Sequence, residues 1–164
     1  MKTIILGALL LATLPAQAQS MKTITKNGMT VQWKILGDSL QMSLHAPTPG
    51  WVAVGFNTSD QLQGTHLIMG HVVGKQVHIE DRYIRRPGDH ALITSLGGSD
   101  ALYDKHGTET DVGTTLHFKL PLRTCDDYHI DLQPSKSYYL LMAYSREDDF
   151  EHHSMMRTSI KIIL

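Results

Sequence analysis

The sequence predicts an all-β chain folded as an antiparallel β-sandwich of roughly ten short strands. Three observations carry this reading. Beyond the N-terminal leader, no segment sustains an apolar repeat of helical period. Short runs rich in β-branched and aromatic residues alternate apolar with polar positions. Gly, Pro, Asn and Asp bound those runs at near-regular spacing. A closed barrel is the competing architecture.

The chain opens with MKTIILGALLLATLPAQAQS. One lysine precedes an apolar run from Ile4 to Leu14, then Pro15 and the small-x-small triplet Ala16-Gln17-Ala18. This is the anatomy of a secretory signal, with cleavage expected after Ala18, and the run is too short to span a bilayer. Residues 1–18 are therefore set apart from a single domain over residues 19–164. The expected destination is the periplasm or the exterior, with no membrane span after cleavage.

In MTVQWKIL, the residues Met29, Val31, Trp33 and Ile35 share one face. GDS turns the chain into LQMSLHA, where Leu40, Met42 and Leu44 alternate again, so the two form a hairpin. PTPG breaks the pattern, and WVAVGF is apolar on both sides, as a central strand would be. THLIMGHVV and QVHIEDRYI follow, joined by a tight turn at Gly74-Lys75. From Arg86 to Asp111 the chain is rich in Gly, Asp and Ser and reads as loops around one short strand, ALITSL. TTLHFKL, YHIDL, SYYLLMAYS and SMMRTSIKIIL complete the set.

Composition narrows the function. Without the leader the net charge is −2, from a whole-chain value of −1 less Lys2, which is no footprint for nucleic acid or anionic lipid. Cys125 is the only cysteine, so no intrachain disulfide forms. The unusual counts are 10 His and 8 Met, side chains that ligate haem iron and copper.

GWVAVGFN from Gly50, GTHLIMGHV from Gly64 and EDRYI from Glu80 resemble the signature blocks of the DOMON domain family. LHFKLPLRTCDDYHIDL, YYLLMAYS and HSMMRTSIKIIL resemble its later blocks in the same order, so the likeness runs from about Met29 to Leu164. The resemblance implies an immunoglobulin-like β-sandwich of about ten strands with a ligand pocket. Some members of that family bind haem b through an axial Met and an axial His and pass electrons; others are thought to bind sugars.

The family's axial His falls on His153, with Arg157 four residues on, and His152 is what a one-residue slip would select. The axial Met position is Leu62, which cannot ligate iron. His66 and Met69 are the nearby substitutes, and strand alternation sends them to opposite faces. On this reading the protein is an exported haem b domain for electron transfer or haem sensing, working with a redox partner protein. A carbohydrate-binding module is the alternative, with Trp51, Tyr83 and Tyr103 as platform candidates. A copper protein is the third reading: Met69 and His71 point the same way and would join His152 and His153 in a mixed imidazole–thioether site. No nucleophile motif, phosphate loop or His-Glu-x-x-His appears, so no enzymatic activity is expected. The pairs Asp126-Asp127 and Asp148-Asp149 are adjacent, cannot flank a bond unaided, and are read as turn residues.

Overall fold

The computed structural model describes residues 20–164, and the expected signal segment lies outside the described residues. The strands are β1 (Lys22–Lys26), β2 (Met29–Leu36), β3 (Ser39–Ala46), β4 (Val52–Asn57), β5 (His66–Val73), β6 (Gln76–Arg86), β7 (Asp89–Leu92), β8 (Tyr103–Thr110), β9 (Gly113–Pro121), β10 (Ser137–Tyr144) and β11 (Met156–Ile163). They form two antiparallel sheets, ordered β1-β2-β3-β9-β8 and β11-β10-β4-β5-β6-β7. The predicted sandwich is therefore the observed one. Among the described residues no helix is long and apolar enough to cross a membrane.

The alternation read from the sequence is what joins the two layers. Met29, Val31 and Trp33 on β2, Leu40, Met42 and Leu44 on β3, and Leu116, Phe118 and Leu120 on β9 face inward from the five-stranded sheet. Val52, Val54 and Phe56 on β4, Ile68 on β5, and Leu140, Met142 and Ile162 on β10 and β11 meet them from the other. Burying each such side chain contributes about 1.5–3 kcal/mol before the entropy of ordering it is subtracted. β4 is buried at every position because β10 and β5 flank it and apolar groups cover both its faces.

Four segments differ from the sequence reading. β1 was not expected, because KTITK is short, polar and an edge strand. Its hairpin signal is nonetheless present as Asn27-Gly28, both with positive φ (49° and 83°), the Asn-Gly turn that suits the strand twist. β8 runs through a stretch read as loop; it is a mostly exposed edge strand with a bulge between Tyr103 and His106, so neither face carries an apolar pattern. ALITSL is divided between the end of β7 and a single 3₁₀ turn, Ile93–Leu96. YHIDL is not a strand: Leu132 is buried, but the segment is held by side-chain bonds around Asp126 and by the Leu132 N–H donating to the Leu122 carbonyl.

Candidate functional site

The six-stranded sheet has a second apolar face, turned away from the sandwich core. Trp51 and Ala53, Leu67 and Met69, Ile84, Leu141 and Ala143 form a separate buried cluster there, closed by Phe150 and flanked by Leu62. An outward sheet face in a sandwich is ordinarily polar, so a buried outer cluster marks a place where something packs. Part of the cover is the chain's own 145–155 loop. The Trp51 N–H donates to the Glu147 carbonyl (3.0 Å), and the Ser145 N–H donates to the Trp51 carbonyl (3.0 Å). Gly50 allows this approach: a Cβ there would lie 2.4 Å from the Arg146 carbonyl carbon.

Phe150 is fixed by groups that β5 and β6 present on the same face. The His71 ring meets it edge-on at 5.1 Å, the His78 ring stacks at 5.8 Å, and the Arg82 guanidinium lies 5.4 Å from its centroid. Glu80 accepts from Arg82 Nε (2.6 Å) and from His78 Nε2 (2.7 Å), and His71 Nδ1 lies 3.2 Å from Asp148 Oδ1. These contacts hold the loop against the sheet and leave a cleft beside Phe150.

That cleft encloses about 700 Å³ of empty space including its open mouth, within the range of small-molecule and cofactor sites. Its floor is the outer cluster; its rim includes Asp89, His90, Glu151, His152, His153 and Arg157. A more polar depression adjoins it, sharing Leu62, Leu141 and Arg157 and adding Asn57, Gln61, Tyr139 and Ser159. Arg157 makes no ion pair among the described residues, so a cation stands where the apolar and polar parts meet. Trp51 Nε1 is buried in the cleft wall with no acceptor, an orphaned donor of the kind a ligand satisfies.

His153 lines this cleft together with Leu62 and Met69, so the two positions singled out as axial sites converge in space. His153 and His152 both lie in the loop before β11, which begins only at Met156; strand alternation therefore does not separate them. Their bonding does. His152 Nδ1 is 3.3 Å from Asp149 Oδ2, whereas the His153 side chain has no hydrogen-bond partner among the described residues. Met156 opens β11 and packs on the core, while Met155 is half exposed.

His66 does not reach the cleft. It shares the inner face of β5 with Ile68, is buried, and donates Nε2–H to Asp81 Oδ1 (2.6 Å). A pairing of His66 with His153 on one ligand is therefore corrected: the sheet separates them. His71 is not grouped with His152 and His153 as the copper reading required. Its ring is engaged by Phe150, His78 and Asp148, and Met69 sits in the cluster floor. The platform aromatics are likewise dispersed. Trp51 is in the outer cluster, Tyr83 meets the Tyr128 ring at 5.4 Å, and Tyr103 on β8 donates to Ser39 Oγ (2.6 Å).

His90 is the cleft residue that sequence reasoning missed. Burial, with the Arg82 guanidinium beside it, holds its pKa below the ordinary imidazole value, so it stands neutral at the rim. Arg82 donates to its Nδ1. Only the pairing of β7 with β6, which brings Ile84 opposite His90, carries it there.

The comparisons with known proteins agree with this architecture. The chain is 28% identical over 118 residues to MOXD1 homolog 2 of Drosophila melanogaster, and 30% identical over 125 residues to DBH-like monooxygenase protein 2 of Mus musculus. These stretches cover 72% and 76% of this chain but only 15% and 19% of those proteins. Among solved structures, the cytochrome b domain of pyranose dehydrogenase from Coprinopsis cinerea superposes with a TM-score of 0.60 at 12% identity, covering 88% of this chain and 81% of that one. The cytochrome domain of Myriococcum thermophilum cellobiose dehydrogenase gives 0.57 at 8%, with the same coverage. The DOMON domain family model matches residues 25–145, most of the chain, and the protein belongs to the DOMON domain family.

Proposed function

We propose that this chain is an exported haem b domain that passes single electrons to and from a partner protein. The observation that carries the reading is the convergence of His153, Leu62 and Met69 on one apolar cleft at the outer face of the six-stranded sheet. The likeness to two structures named as cytochrome domains supports it. Bound there, haem would supply one-electron redox chemistry.

The residues fit such a group. Trp51, Leu67, Met69, Ile84 and Leu141 provide a dry floor, as a porphyrin face requires. His153 offers an imidazole with neither nitrogen committed to a side-chain bond. Arg157 offers a cation to a propionate, and Trp51 Nε1–H a donor. With Leu62 at the family's thioether position, Met69 or His90 would be the residue left to supply a second ligand beside His153. No comparison supports copper, and His71, which that site needs, is engaged by Phe150, His78 and Asp148 instead of joining His152 and His153 in the cleft.

The test is a haem titration of the purified chain followed by its visible spectrum. One equivalent is expected to bind, and the visible spectrum tells whether Met69, His90 or neither joins His153. Leu62→Met is expected to tighten binding about tenfold and raise the reduction potential, because a thioether favours ferrous iron. A chain that takes up no haem at micromolar concentration, before and after this substitution, removes the reading.

A further inference from the structure

On the opposite side of the six-stranded sheet from the cleft, the strands gather a second group of ligating side chains that the haem reading leaves unused. β5 points His66 inward, and β6 points Asp81 inward beside it. The segment over residues 122–136, between β9 and β10, folds back to deliver His129 to the same carboxylate. His66 Nε2 is 2.6 Å from Asp81 Oδ1, and His129 Nε2 is 2.9 Å from Asp81 Oδ2. The side chains of all three are at most 2% exposed. We propose that His66, Asp81 and His129 form a site for one zinc-type divalent cation, which clips the 122–136 segment to the six-stranded sheet.

The geometry favours an ion over a hydrogen-bonded cluster alone. One ligand atom from each residue lies within 4.8 Å of the others. The two imidazole rings stand edge to face, 4.6 Å apart at 71°, so their nitrogens approach the carboxylate from different directions. A tetrahedral ion with bonds of about 2 Å spaces its ligands about 3.3 Å apart, so the cluster needs to open only slightly around Asp81. The outer partners are also in place. His129 Nδ1–H donates to Asp126 Oδ1 (2.6 Å), the carboxylate–histidine arrangement that orients a metal-binding imidazole. Asp126 is itself fixed by the Tyr128 and Ser99 N–H groups, and the Ala101 N–H donates to Asp81 Oδ2. His66 Nδ1 is buried with no partner, so apart from Asp81 no polar side chain holds that ring in its present arrangement.

The donor set selects the ion. Two imidazoles and one carboxylate suit zinc and its neighbours, and are too few and too soft for calcium or magnesium. An open depression bordered by Thr58, Cys125, Asp126 and His129 lies beside the cluster, the side from which an ion and a water as fourth ligand would arrive. The benefit is local. The 122–136 segment has no strand ladder, and a clip to β5 and β6 would tie it down.

The test uses the full purified chain, stripped with chelator and then given zinc chloride. One equivalent should survive gel filtration, and the unfolding midpoint should rise about 5–10 °C when zinc exceeds its dissociation constant a hundredfold. His129→Gln should weaken retention at least about a hundredfold. The double variant His106→Ala/His117→Ala should retain zinc unchanged; that stacked pair, 4.7 Å apart with His106 exposed and His117 half-buried, is the rival surface site. Cobalt should give visible bands without a sulfur charge-transfer band, which separates this site from Cys125. Should His129→Gln not fold, the imidazole ¹⁵N shifts of His66 and His129 on zinc addition decide. No stoichiometric retention, retention unchanged in His129→Gln, loss in the double variant, a sulfur band or unmoved ¹⁵N shifts would each overturn the proposal. Haem uptake through His153 is measured separately and stands or falls alone.

Discussion

His153→Ala is expected to abolish haem uptake, or to weaken it at least about a hundredfold, while leaving the unfolding midpoint of the haem-free chain within a degree or two. The side chain is exposed and makes no hydrogen bond among the described residues, so its loss removes a donor nitrogen without opening a cavity. His152→Ala is the paired measurement. His152 lines the same cleft but is engaged with Asp149, and both are well exposed, so haem affinity should change by no more than a few-fold. Titration of both variants, read at the main haem absorption band, distinguishes them. Reversal of the ranking would move the axial role to His152. Equal and negligible effects would leave this loop with no ligand and bring the sugar-binding alternative forward, with the cleft's polar extension as the place to look.

The second large effect concerns stability. Asp81→Asn, measured in chelator so that no metal contributes, is expected to cost about 3–5 kcal/mol. That corresponds to a fall of about 10–15 °C in the unfolding midpoint for a domain of this size. Burial alone would push the Asp81 carboxyl up. Hydrogen bonds from His129 and His66 and the Ala101 N–H overcome burial and hold it well below the usual carboxylate range. His129 shows the converse: burial would lower its pKa, yet Asp81 and Asp126 raise it above the ordinary imidazole value. An asparagine presents one acceptor and turns an N–H₂ toward a donor, so a buried imidazole is left facing its own kind. Equilibrium denaturation of the two chains checks this. A loss under about 1 kcal/mol would mean that the network is not a net source of stability.

The sequence by itself determined the sandwich, the family and the inner faces of the long strands. Those properties rest on period-two alternation and turn residues, which are local: Met29, Val31 and Trp33 face the core because neighbours on a strand must point oppositely. It also placed Met69 and His66 on opposite faces of β5, as they are found. Edge strands β1 and β8 escaped because an edge needs no apolar face, although Asn27-Gly28 signalled the first of them. Tertiary structure alone decided which faces meet what. His90 enters the cleft only through the pairing of β7 with β6. His129 reaches Asp81, 48 residues away in the chain, only because the 122–136 segment folds back across the strand ends. Trp51 lies in a cleft wall rather than on a surface platform because the 145–155 loop packs over Gly50. Each of these is a contact between segments distant in sequence, fixed by strand order and loop packing, and no local period encodes either.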